Sequence, residues 1–173
     1  AITLERAGPL CAGDTVFLAA SYTDGIQWYR DSLLLPEAGG SRLPVGESGR
    51  YLARYTSPDG CQADSEPYGL EFASPPPTPA LSFDRNLLYL ADSLQLPDSY
   101  RLEWYLAGEL LESGGEAAFC TSASGVYELR LTDETSGCST SDSLAVNYDP
   151  AFSDCTSPME QFDRVVTSVQ LFP

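Results

Sequence analysis

The chain contains no lysine and no histidine: all nine basic residues are arginine, against twenty-five acidic ones, for a net charge of −16. Each absence removes a class of chemistry. Without histidine there is no ordinary general base at neutral pH, no Ser-His-Asp or Cys-His catalysis and no His-ligated zinc. Without lysine there is no Schiff base and no lysine-to-asparagine isopeptide staple. So few cations among so many carboxylates exclude nucleic acid and anionic membrane surfaces as partners, because phosphate affinity depends on Lys and Arg neutralising it. No stretch approaches the roughly 18 apolar residues that span a bilayer, so membrane insertion is not expected. The start at Ala1-Ile2-Thr3, without Met or an apolar signal segment, reads as a mature product or a piece of something longer.

What is present is a repeat. Trp28-Tyr29 is followed by Gly49-Arg50-Tyr51 and then Gly60-Cys61; Trp104-Tyr105 is followed by Gly125-Val126-Tyr127 and then Gly137-Cys138. In each copy the tyrosine stands twenty-three residues after the tryptophan, and these are the only two tryptophans. A length of 173 residues with 43% hydrophobic content suits one ordinary domain or two small ones.

Short apolar runs bounded by turn residues dominate, and no amphipathic run of helix length appears. The first copy reads as strands at Ile2–Glu5, Thr15–Ala19, Ile26–Arg30, Ser32–Leu35, Leu43–Val45, after Gly49, and around Tyr68–Phe72. Alternation points Ile26, Trp28, Tyr51, Ala53 and Tyr55 inward, and Arg50, Leu52 and Arg54 outward. In the second copy Leu88–Leu96 overlays Leu10–Leu18 without a gap; Leu102, Trp104, Leu106, Tyr127, Leu129 and Leu131 face inward, and Leu144–Tyr148 closes the module.

About seven strands at ten-residue spacing predict an all-β fold of two tandem Ig-like antiparallel β-sandwiches. The core signature is Trp28 and Trp104 on the third strands, with Tyr51 and Tyr127 placed to form tyrosine corners. Module 1 is expected over 1–73, a proline-rich linker over 74–79, module 2 over 80–148 and a tail over 149–173. Four prolines in Ser74–Pro79 favour stiff polyproline II, which is expected to keep the modules apart and in line.

Cys11-Ala12-Gly13-Asp14 before a Val-x-Leu strand, the central Trp, Gly-x-Tyr and Gly-Cys together resemble the Ig-like (PKD-like) modules of large secreted Bacteroidetes surface proteins. The resemblance covers residues 1 to about 148 and implies an extracellular, cell-surface location. The second copy departs by having Tyr89 where the first has Cys11, which puts its disulfide in doubt. At the C-terminus Val169-Gln170-Leu171-Phe172-Pro173 is similar to the opening of a type IX secretion sorting domain, and also to an ordinary apolar strand.

Five cysteines, Cys11, Cys61, Cys120, Cys138 and Cys155, fit an oxidising compartment, and the odd count leaves one thiol over. The pairing expected first lies within the modules, Cys11 with Cys61 and Cys120 with Cys138. Geometry opposes it, because these partners fall at opposite ends of a strand and disulfide Cα atoms sit within about 7 Å. A staggered set therefore stands beside it: Cys11 with Cys138, Cys120 with Cys155, and Cys61 left for a preceding module or another chain.

Three groups of residues are candidate sites. Asp14, Asp24, Asp31, Asp92, Asp98, Asp133 and Glu134 offer oxygens for calcium, but without the spacing of a loop site they read first as solvating charge. Tyr29 and Tyr105 could stack on a glycan, and read first as cross-strand packing. Glu109 with Glu112 would be a hydrolytic pair, but modules this small offer no deep cleft. The function expected is a non-enzymatic structural or adhesive module, a stalk, adhesin segment or filament subunit, without a cofactor. Its partners would be other proteins or further modules of the same protein. The alternative is glycan- or calcium-dependent recognition.

Overall fold

The computed structural model describes residues 1–91, 96–114 and 117–152. They form two compact units: Ala1–Pro75 together with Ser136–Cys138, and Pro76–Thr135 together with the described residues from Ser139 on. Both are antiparallel sandwiches, and the described residues contain no helix beyond one short 3-10 turn at Pro150–Phe152.

In the first unit β1 (Ile2–Leu4), β2 (Val16–Ala20) and β5 (Arg42–Val45) make one sheet in the order β1-β2-β5. The other sheet runs β4 (Leu33–Gly39), β3 (Ile26–Arg30), β6 (Gly49–Thr56) and β7 (Gln62–Asp64), with β8 (Tyr68–Leu70) also pairing β6. The second unit repeats this. Its small sheet is β9 (Leu81–Asp84), β10 (Leu87–Leu90) and β13 (Ala118–Cys120), in the order β13-β10-β9. Its large sheet is β12 (Glu109–Ser113), β11 (Tyr100–Leu106), β14 (Gly125–Asp133) and β15 (Ser139–Val146). In both units the fourth strand pairs with the third, so three strands face four or more; in constant-type immunoglobulin domains the fourth strand joins the opposite sheet.

Period-two alternation explains the cores. Along β6 the inward residues Tyr51 and Ala53 are buried while Arg50 is exposed, and along β14 Tyr127, Leu129 and Leu131 are all fully buried. Trp28 fills the first core with Val16, Leu18, Leu43 and Val45; Trp104 fills the second with Leu88, Leu102 and Val146. Truncating either tryptophan to alanine would cost on the order of 3–5 kcal/mol. The Trp28 indole N–H is satisfied by the Gly40 carbonyl at 2.9 Å.

The third and fourth strands of each unit are joined by a two-residue turn with both central residues left-handed, the type I′ geometry that matches strand twist. The residues are Asp31-Ser32 (φ 48° and 70°) and Ala107-Gly108 (φ 50° and 85°). Along β4 the register jumps from Leu35 to Gly39 opposite Trp28 and Gln27. This leaves out Pro36, which has no N–H to give the ladder.

Two sequence expectations change. The ungapped overlay of Leu88–Leu96 on Leu10–Leu18 fails, because Leu87–Leu90 is itself the second strand of its sandwich, paired with β9 and β13. Its counterpart is therefore β2, and Tyr89 does not stand in for Cys11. The boundary between the compact units falls inside the stretch expected as a linker, between Pro75 and Pro76; Pro76 and Pro79 are buried, and the Pro77 carbonyl accepts the Thr140 hydroxyl at 3.1 Å.

Candidate functional site

The Cys11-Ala12-Gly13-Asp14 motif is a closed turn, and each residue has a local reason. Asp14 N–H donates to the Cys11 carbonyl at 2.9 Å, and Gly13 supplies the left-handed φ of +99° that a side chain would resist. The Asp14 carboxylate accepts the Cys11 N–H at 3.1 Å and pairs with Arg6 at 2.9 Å. The arc is then fixed to the strand leaving the sandwich. Cys11 and Ala73 form a parallel bridge, with Ala73 N–H to Leu10 O and Ala12 N–H to Ala73 O, each 2.8 Å.

Cys11 is disulfide-bonded to Cys138, with Cα atoms 5.7 Å apart. Cys138 is fully buried, and its Sγ lies 3.9 and 4.0 Å from the Leu10 and Ala73 carbonyl oxygens. Being bonded, that sulfur has no hydrogen to donate, so these are packing contacts. The in-module pairs, Cys11 with Cys61 and Cys120 with Cys138, are thereby overturned. Ser48 and Phe72 hold the exit of the first unit to the start of β6, whereas Cys61 follows its end. Eight residues of strand, roughly 26 Å, separate the two places. Cys120 adjoins the second unit's exit, while Cys138 lies beyond the far end of the nine-residue β14. Cys120 is disulfide-bonded as well; Cys155, its partner in the staggered set, lies outside the described residues. Cys61 is a free, exposed thiol.

Tyr51 and Tyr127 donate their hydroxyls to the carbonyls four residues back, Glu47 at 2.7 Å and Ala123 at 3.0 Å. Burial pushes the Tyr51 phenol pKa up. A second shared device escaped the sequence reading. Ser48 accepts the Phe72 N–H and Ser124 the Tyr148 N–H, both at 2.9 Å and both twenty-four residues along. The signal was a serine before Gly-x-Tyr in each copy, Ser48-Gly49 and Ser124-Gly125.

Tyr29 and Tyr105 lie on the outer faces of the large sheets. Arg54 stands diagonally across from Tyr29, its guanidinium 5.1 Å from the ring centre; Arg130 covers Tyr105 at 4.7 Å. Arg54 also grips Asp64 at 2.6 and 2.8 Å, raising its own pKa and lowering that of the carboxyl. An open depression of about 460 Å³ beside this cluster is lined by Tyr29, Asp31, Arg50, Leu52 and Arg54 among others.

The acidic residues that could offer oxygens to calcium are scattered over local tasks. Asp24 accepts from Thr23, Asp31 from the Arg50 N–H, and Asp133 from Thr135, while Glu134 is 3.8 Å from Arg101. Asp98 sits in the turn before β11, and Asp92 lies outside the described residues. Among the described residues no three of His, Cys, Asp and Glu converge as a metal cluster. Glu109 and Glu112 are both exposed on the edge strand β12. The sorting-domain resemblance at Val169–Pro173 also lies outside the described residues.

No protein-family model and no curated protein matches the chain. Among solved structures the chain is similar to the fibronectin(III)-like modules of Clostridium thermocellum CbhA, at 16% identity and a TM-score of 0.43, covering 86% of this chain and 94% of that one. A likeness of that size supports no conclusion; the fold rests on the strand pairing above.

Proposed function

We propose that the chain is a non-catalytic structural segment of an extracellular polypeptide, a stalk, adhesin or filament piece built from tandem sandwiches. Its residue pattern resembles the surface modules of Bacteroidetes, and the proposal includes export by the type IX route and display at the cell surface. The observation that carries this reading is the Cys11–Cys138 disulfide, whose sequence separation is 127. Such a bond persists in oxidising compartments. It also carries tension from the first arc directly to Cys138, bypassing the chain between.

Pulling the molecule from its ends tests this. The oxidised chain is expected to resist with discrete rupture events and to stop short of the reduced chain by roughly 420 to 460 Å, the extended length of the bypassed residues. Featureless stretching at negligible force, oxidised or reduced, would defeat a structural role. Glycan recognition is the weaker reading, because arginine already occupies one face of both Tyr29 and Tyr105. Glycan-array binding abolished by Tyr29→Ala or Tyr105→Ala would reverse that ranking.

A further inference from the structure

The outer faces of the two large sheets carry the same tyrosine and arginine and differ at two neighbouring positions. Tyr29 and Tyr105 stand on the third strands, with Arg54 and Arg130 over their rings. Across from Tyr105 on β14 is Glu128, which holds Arg130 at 3.2 Å; across from Tyr29 on β6 is Leu52. Two residues earlier, β14 has Val126 where β6 has Arg50. The first unit therefore has a leucine in place of the carboxylate and a cation in place of the valine. Arg50 is exposed, and it alone among the described arginines has no ion pair, side-chain hydrogen bond or aromatic ring as a partner. It lines the open depression of about 460 Å³ together with Tyr29, Leu52 and Pro67. An apolar floor beside an unpaired guanidinium suits a partner that is both apolar and acidic, because the fork of N–H donors matches a carboxylate.

A surface of that chemistry lies on β12, Glu109-Leu110-Leu111-Glu112-Ser113. It is the edge strand of its sheet and all five residues are exposed, Leu110 at 52% and Leu111 at 43%. Neither Glu109 nor Glu112 has an ion pair or side-chain hydrogen bond among the described residues. The register against β11 slips at Leu111, and a bulge spoils an edge for strand addition. The strand therefore offers its side chains rather than its backbone. Both surfaces are bare in the single chain, so they are free to meet between molecules. We propose that the depression on the first unit docks the β12 edge of a second copy of this chain. Leu110 and Leu111 pack on Tyr29, Leu52 and Pro67, and the flanking glutamates supply the carboxylate that Arg50 lacks. This rests on the structural reading above and names the partner as the chain itself. The contact is heterologous, a different patch on each copy, and it propagates into an open filament unless the rotation closes a ring. Two chains of net charge −16 repel at a distance. At about 0.15 M salt the Debye length is about 8 Å, which screens that repulsion between the bodies and spares pairs in contact.

Sedimentation of the oxidised chain at about 0.15 M salt, over concentrations up to about 1 mM, tests this. Cys61 is alkylated beforehand so that no disulfide-linked dimer contributes. The mean mass is expected to rise with concentration. Arg50→Glu is expected to weaken association at least about tenfold, and so is Glu109→Arg combined with Glu112→Arg. Leu110→Ser combined with Leu111→Ser abolishes it. All these positions are exposed, and unchanged melting temperatures will show that the variants fold. Mixing the two charge-reversed variants restores association, because the intact depression of one meets the intact β12 of the other. A symmetric contact between two depressions would gain nothing from mixing. A chain that stays monomeric throughout, association untouched by either charge reversal, or no recovery on mixing overturns the proposal. So does a non-associating chain that binds oligogalacturonate through Arg50, which would assign the depression to an acidic glycan. A monomer that still resists pulling defeats the docking surface and leaves the structural role standing. An associating chain that stretches without resistance does the reverse.

Discussion

The two units solve one problem, fixing the strand that leaves the sandwich to the connection between the first two strands, in different ways. In the first, β1 and β2 are joined by a long arc whose backbone pairs with Ala73 and whose cysteine is bonded to Cys138. In the second, β9 and β10 are joined by the two residues Arg85-Asn86, both left-handed. No arc is available there, and a side chain does the work. Asn86, 1% exposed, donates to the Asp149 and Phe152 carbonyls at 2.6 and 2.9 Å and accepts the Asp149 N–H at 2.9 Å. Its own carbonyl takes the Thr121 N–H and hydroxyl at 2.8 and 3.0 Å. A loop long enough to hold a backbone bridge needs no buried polar side chain. A two-residue turn has no spare backbone, so a buried amide must be fully satisfied instead.

Breaking the two devices should rank them. Replacing Cys11 and Cys138 together by serine opens a loop of 127 residues and is expected to cost about 5 kcal/mol in the chain-entropy account. Denaturant unfolding measures it, and a loss below about 1 kcal/mol would mean that the Cys11–Ala73 bridge closes the unit unaided. Asn86→Ala strips three hydrogen bonds and leaves a left-handed alanine, for an expected cost of about 3 kcal/mol. Asn86→Asp should be nearly as damaging, since a carboxylate cannot donate to the Asp149 and Phe152 carbonyls.

Smaller changes sharpen the comparison. Gly137→Ala and Gly60→Ala each force a side chain into a left-handed site, at about 1 kcal/mol. Gly137→Ala should cost more, because Pro9 crowds the new methyl; equal melting shifts would show that Pro9 gives way freely. Tyr51→Phe and Tyr127→Phe remove equivalent bonds and should each cost about 1 kcal/mol, with matched values showing that the corners do not contribute to the difference between the units. The smallest effect is a pH dependence. The Arg54 hydrogen bonds lower the Asp64 pKa from its ordinary 3.8, so the stabilisation is fully present above that value and is lost as pH falls through the lower folded-state value. Asp64→Asn should therefore flatten the acid limb of a melting-temperature profile, modestly, because the pair is solvent-exposed.

Much of the fold was legible because it follows from local periodicity. The inward faces of β6 and β14, the third-strand tryptophans and the placing of both corner tyrosines follow from alternation and spacing. The strand β7 was not visible, since Gln62-Ala63-Asp64 is exposed throughout and has no apolar residue pattern to betray it. The overlay of Leu88–Leu96 failed because leucine spacing alone cannot distinguish a strand from the segment before one; the Arg85-Asn86 turn shifted the strand toward the N-terminus. Asn86 itself gave no signal, as an asparagine beside an arginine reads as ordinary loop.

The sequence by itself determined the repeat, the two all-β units and their cores, because burying one face of a strand imposes a period of two and a large aromatic residue can only be covered at the centre of a sheet. It also determined that five cysteines could not all pair among themselves. Which cysteines meet was decided only by the tertiary structure. Disulfide formation depends on the separation of strand ends in space, and the Cys138 turn is part of the compact unit that holds Cys11, a placement that no spacing along the chain records.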